Sequence, residues 1–167
     1  MRDRVADAEL SIHRSRIRAV ADLHDLPTVD IVVLAADGPR DIADVVWAWA
    51  RPRRIPMTAA AVGLEQGWWG PLLRPAAGEC WWCFERSRHA ALTPLERRLE
   101  QRTPDPTPHS FGPSNGIVAA LLTHDIVQFL AVGDTATAGS RSHLDLTTMT
   151  TTRHTSGRCR CDVAGSS

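Results

Sequence analysis

The residues with the clearest chemistry are four cysteines. Cys80 and Cys83 form a C-x-x-C, and Cys159 and Cys161 form a C-x-C. Two residues between thiols let one tight turn aim both sulfurs at a tetrahedral ion, and a second pair from a distant segment completes the shell. Soft thiolates suit zinc, which does no redox chemistry. Four thiolates close the coordination sphere, so such an ion is structural and clips the C-terminus to the middle of the chain. In small zinc modules the metal-coupled folding energy reaches about 10 kcal/mol or more. The C-x-C is tighter than a second C-x-x-C. Other readings stay open at this point: an iron–sulfur cluster, a redox pair at Cys80 and Cys83, or unrelated buried thiols. Trp81 and Trp82 inside the C-x-x-C, with no thioredoxin-like strand before it, count against the redox pair.

Other residues have two readings each. Asp37 follows an apolar run, at the end of a strand where open α/β sheets place ligands; it also suits a turn or helix cap before Pro39. Residues 112–115 read as a helix start with Ser114 as cap. Trp68, Trp69, Trp81 and Trp82 stand in a chain with no Tyr and only three Phe. They form either a binding face for a partner or ordinary alternating strand residues. His89, His109 and His154 read as surface histidines, with His154 near enough to the second cysteine pair to replace a thiolate. No nucleophile elbow of the G-x-S-x-G type occurs.

The elements that must position these residues follow from apolar patterning. The chain has 167 residues, 43% hydrophobic, enough for one domain with a core. The 19 basic and 19 acidic residues balance, against a nucleic-acid or membrane-surface binder. Every basic residue counted is Arg, which excludes a lysine Schiff base or phosphate-loop lysine. No secretory signal is visible at residues 1–10, and no stretch approaches the roughly 18 apolar residues of a membrane span. The expected location is the cytosol, where clustered cysteines suggest a metal site more than disulfides.

Residues 1–16 read as a helix and 17–21 as a short strand. Residues 30–36 (DIVVLAA) read as a strand buried on both faces, because the apolar run does not alternate. Residues 41–51 read as a helix with Ile42, Val45, Val46 and Trp49 on one face, ended by Pro52. Residues 55–62 read as a second buried strand, so the three make a right-handed crossover unit. Residues 67–73 read as extended and 92–102 as an exposed helix capped by Thr93, with Pro94 at its first position. Residues 103–115 carry four prolines and read as a crossover loop. Residues 115–132 read as a core helix stopped by Gly133. Residues 142–152 read as one or two antiparallel strands.

This order of features resembles the ubiquitin-activating-enzyme-like (ThiF) superfamily. The residues that carry the resemblance are DIVVLAAD (30–37), IPMTAAAV (55–62), GWWGPLLRP (67–75), GECWWCF (78–84), FGPSNGIVAALLTHDIVQFLAVG (111–133) and GRCRC (157–161). The resemblance implies an α/β fold, a partial Rossmann-like sheet with a C-terminal antiparallel part and a four-cysteine zinc site. It covers residues 1–162, as the C-terminal portion of a ThiF-like domain, with 163–167 a tail. Within the superfamily the chain is most similar to the bacteriocin cyclodehydratase component of thiazole/oxazole-modified peptide biosynthesis. That branch presents a precursor peptide to a YcaO-type partner, which cyclises Cys, Ser or Thr side chains to azolines with ATP.

In active relatives the residue matching Asp37 sits by the ATP phosphates and magnesium. The family's G-x-G-x-x-G phosphate loop is absent here, so autonomous ATP chemistry is not expected and an N-terminally truncated chain is. Two rivals follow. One is an adenylyltransferase of the ThiF class that takes its nucleotide loop from a second chain. The other is a non-enzymatic zinc-stabilised interaction module or gene remnant, acting as a homodimer through an open sheet edge.

Overall fold

The computed structural model describes residues 11–12, 16–36, 41–102, 111–155, 159 and 161. The helix expected over residues 1–16 and the features at Asp37 and His109 fall almost wholly outside these. Five strands form one sheet in sequence order: β1 (Val32–Leu34), β2 (Met57–Val62), β3 (Gln66–Trp69), β4 (Ser140–Asp145) and β5 (Thr151–Thr155). Only β1 and β2 run parallel, joined through helix α1 (Ile42–Ala50). The other three pairs are antiparallel. A mixed α/β architecture with an antiparallel C-terminal part is therefore present.

Alternation along β2 splits its neighbours between two faces. Met57 and Ala59 join one core with Ile42, Val46, Trp47 and Trp49 of α1. Ala60 and Val62 join a second with Trp69, Val118, Leu122 and Leu144. The α1 face is wider than its expected stripe. Trp47 is fully buried and Val45 only half-buried, because a further helix, α2 (Trp81–Ala91), also packs on α1 and covers another side. Helix α1 ends at Ala50, and Arg51–Arg53, containing Pro52, tightens into a 3-10 turn.

Several expectations fail. Residues 17–21 form no strand; Val20–Leu23 is a 3-10 turn, closed by the Asp22 carboxylate accepting from the Arg18 and Ala19 amides. β1 is not buried on both faces: Val33 is 43% exposed, since among the described residues β1 ends the sheet and α1 packs on one face. The first cysteine pair does not sit on a tight turn alone; the C-x-x-C opens helix α2, which runs on for 11 residues.

Helix α3 (Pro94–Arg102) starts as expected. The Thr93 hydroxyl accepts from the Glu96 amide and the Glu96 carboxylate from the Thr93 amide, a reciprocal box. Helix α4 (Gly112–Val132) starts three residues early, with Phe111 rather than Ser114 at its N-cap, and ends at Gly133 with φ 77°. It is not a core helix. Only Ser114, Val118, Leu122 and Asp125 are buried, one stripe at helical spacing laid on the sheet. Val127, Leu130 and Val132 are exposed. By length and composition α4 is the one described helix long and apolar enough to cross a membrane, its most apolar window having a mean hydropathy of 1.5. That corrects the expectation that no stretch comes near a span.

Two glycines set the close approaches. A Cβ at Gly67 would collide with the Val118 side chain, so α4 reaches β3 only because the residue is bare. Gly70 has φ +80°, and a Cβ there would lie 2.6 Å from the Ser140 carbonyl oxygen. It turns the chain from β3 toward the segment that carries the first cysteines.

Candidate metal centre

The turn that delivers Cys80 is held by a fork. Arg74 donates through its amide and Nη2 to the two Glu79 carboxylate oxygens at 2.6 and 2.8 Å, spanning the 3-10 turn Pro75–Ala77. Gly78 ends that turn at φ 74°. Cys80 is then the N-cap of α2, and its carbonyl accepts from Phe84 at 2.9 Å to close the first helical turn. Cys83 lies on that turn. The second pair arrives by the β4–β5 hairpin. The end of β5 brings His154 edge-on to Phe84, ring centroids 5.4 Å apart, and the chain reaches Cys159 a few residues on.

The four sulfurs converge. Cys83 Sγ lies 3.2 Å from Cys161 Sγ and 3.4 Å from Cys159 Sγ, and Cys80 Sγ lies 3.7 Å from Cys161 Sγ. All four lie within 4.8 Å of one another. A disulfide would need about 2.05 Å, and all four thiols are free. A regular tetrahedron of zinc–sulfur bonds of about 2.3 Å sets the sulfurs about 3.8 Å apart. The donor set and its spacing therefore fit a small thiophilic ion. The tight C-x-C is accommodated by the Cys161 amide, which donates to Cys159 Sγ at 3.4 Å. As thiols the group resists ionisation. Hydrogen bonding with Cys83, then burial, pushes Cys161 up to about 12, and burial raises Cys159. A bound cation reverses that balance by stabilising the thiolates. His154 is not part of the cluster; its ring is taken up by Phe84.

Cys80 is buried, and the other three are half-buried against the same core as Trp47 and Trp81. The centre is braced by a buried cation that sequence reading missed. Arg141 on β4 is 4% exposed. Its Nη2 donates to Glu85 Oε1 at 2.7 Å and its Nε to the Gly70 carbonyl at 3.3 Å. The guanidinium stacks 4.0 Å above Trp68, with Phe84 and Trp81 at 5.0 and 5.5 Å. Glu85 also accepts from Arg88 at 2.8 Å, and Arg88 reaches Glu100 of α3 at 2.7 Å. Arg141 thus ties the cysteine-bearing helix to the sheet. Burial lowers its pKa to about 10, partly offset by Glu85. Burial, then Arg141, depresses the neighbouring His143 to about 4.

The tryptophans are spent internally. Trp69 faces α4 and donates to Asp125 at 3.0 Å, while Trp68 faces Arg141, which is the ordinary strand alternation. Trp81 is buried on α2, and Arg51 lies 5.7 Å from the Trp82 ring centroid. Asp125 was also missed, though it is the sole acidic residue of α4; it accepts from Trp69 and from Thr137 at 2.7 Å.

No family model matches the chain, and no curated protein matches it. Solved structures do. E. coli MccB with ATP is 23% identical at a TM-score of 0.69, over 88% of this chain and 42% of that one. The microcin C7 biosynthetic enzyme MccB in complex with N-formylated MccA is 21% identical at 0.68, over 87% and 44%. PaaA, as its selenomethionine form, is 16% identical at 0.57, over 81% and 44%. The chain spans under half the length of these structures. At such identities the likeness is one of fold alone: the chain has the fold of the matching part of MccB.

Proposed function

We propose that this chain is a zinc-clipped, ThiF-like component of a pathway that matures a ribosomally made peptide antibiotic. The observation that carries the reading is the fold shared with MccB over nearly the whole of this chain, in structures that include complexes with the peptide MccA. The convergent thiols support a structural zinc ion held by Cys80, Cys83, Cys159 and Cys161. Zinc needs no partner electron carrier, and the four donors leave no open position for substrate.

Within that reading the chain presents the precursor peptide to a YcaO-type cyclodehydratase and does not itself activate a carboxylate. The sequence supports this, since no G-x-G-x-x-G occurs in its 167 residues and no lysine is available to meet phosphate. Asp37 remains a candidate for the ATP side of a completed site. A second reading is favoured by the MccB structure with ATP: an adenylyltransferase that takes its nucleotide loop from a second, different chain.

Two assays separate them. Co-expression with a YcaO-type enzyme and its precursor peptide should yield peptide lighter by one water per ring, and only when this chain is present. ATP–pyrophosphate exchange, run with the chain and peptide alone and again with candidate chains that carry a nucleotide loop, should give no signal in either arm. Exchange above background would overturn the presenting role in favour of adenylation.

A further inference from the structure

Three sulfur approaches, of 3.2, 3.4 and 3.7 Å, join the first cysteine pair to the second. Cys83 makes two of them, to Cys159 and to Cys161. Cys83 is half-buried, whereas Cys80 is 4% exposed. Cys159 and Cys161 are half-buried as well, so an oxidant from solvent reaches three of the four thiols, and among them Cys83 has both sulfurs of the second pair at hand to resolve it.

We infer that the centre is a redox-responsive clip, in which a hydroperoxide replaces the metal clip by a disulfide from Cys83 to Cys159 or Cys161. The inference rests on the zinc reading above. The Cys83 thiolate attacks one peroxide oxygen; the O–O bond breaks, hydroxide leaves, and Cys83 becomes a sulfenic acid. A thiolate of the second pair then attacks Cys83 Sγ; the S–O bond breaks and a second hydroxide leaves. Two protons from solvent convert both hydroxides to water. Each sulfur has lost one electron and the peroxide has gained two. Two donors are gone, the shell is no longer closed, and the ion is released. The C-terminal segment stays tethered, now across a loop of 76 or 78 residues, and a dithiol reductant with zinc restores the first state.

This differs from a C-x-x-C redox pair, in which Cys80 and Cys83 would join each other. The test is on the full chain purified with its metal and treated with hydrogen peroxide. Ion release is followed with a chromophoric chelator, thiols are counted, and peptides are mapped without reduction. Trypsin cuts at Arg160 and so separates Cys159 from Cys161, while Cys80 and Cys83 stay on one peptide. The expected result is two thiols lost per ion released, with cross-linked peptides joining the Cys83 segment to Cys159 or Cys161. In Cys83→Ser the approach of Cys80 to Cys161 at 3.7 Å remains, so the Cys83 cross-links vanish and the yield falls. An internal Cys80–Cys83 disulfide, ion release with no cross-link, or retention of ion and thiols at peroxide sufficient to oxidise free cysteine would each overturn the inference. Protein that purifies without metal would overturn the zinc reading instead, and the peptide map on that same sample still decides whether the cross-segment bond forms.

Discussion

Glu85→Ala should destabilise the chain more than the loss of an exposed ion pair would. Exposed pairs contribute about 0–1 kcal/mol, but the Arg141 side chain is only 5% exposed. Removing Glu85 leaves its guanidinium buried, with the Gly70 carbonyl and three aromatic faces for company. Breaking a buried pair from one side costs about 3–5 kcal/mol; because Glu85 itself is 26% exposed, the low end, about 3 kcal/mol, applies. Arg141→Met removes the charge and keeps most of the volume. Glu85 then still has Arg88 at 2.8 Å, so the cost falls to about 2 kcal/mol. The double variant should cost about as much as Glu85→Ala alone, about 3 kcal/mol, short of the additive sum by a coupling on the order of 2 kcal/mol. For a chain of this length about 3 kcal/mol corresponds to a Tm drop of roughly 6–12 °C. Urea denaturation of the four proteins gives the cycle directly. Additive losses, or a Glu85→Ala cost below about 0.5 kcal/mol, would refute the claim that Arg141 is a buried, paired cation bracing the cysteine helix.

Two further outcomes follow from the same geometry. Gly67→Ala should cost about 1–3 kcal/mol by overpacking α4 on β3, and Val118→Ala, which clears the space its Cβ needs, should make the second substitution cheaper than in the parent; equal cost in both backgrounds would show that α4 does not rest on Gly67. Because the folded pKa of His143 is depressed from 6.5 to about 4, the unfolded chain binds its proton first as pH falls. Stability is then full above about 6.5 and declines toward 4, and His143→Asn should flatten that part of a urea-midpoint against pH profile relative to the parent, whereas parallel profiles would mean the imidazole is not desolvated.

Much of the frame was legible because it depends on local pattern. The run at 55–62 is buried because β2 has a helix on each face, and α3 begins at Thr93 because a Thr and a Glu three residues apart satisfy each other's amides. The cysteine pairs were legible as types and spacing, which suffices for a shell of four like donors. What failed depends on neighbours distant in sequence. An apolar run such as 32–34 cannot report that it lies at a sheet edge. The composition of α4 says that it is apolar, not that the sheet covers a single stripe. Helix α2 was hidden because two tryptophans and a C-x-x-C read as a tight turn, whereas the N-cap geometry at Cys80 starts a helix there. Arg141 gave one weak signal: on a two-residue period it shares a sheet face with His143 and Trp68, so its charge needed a partner from another element.

The most direct test of the central claim is the metal content of the purified chain, with Cys80→Ser/Cys83→Ser as control. The account predicts about one zinc per chain, lost in the double variant together with a large fall in stability, since structural zinc contributes on the order of 10 kcal/mol. Well-folded protein that holds no metal, with a Tm unmoved by chelator, would contradict it.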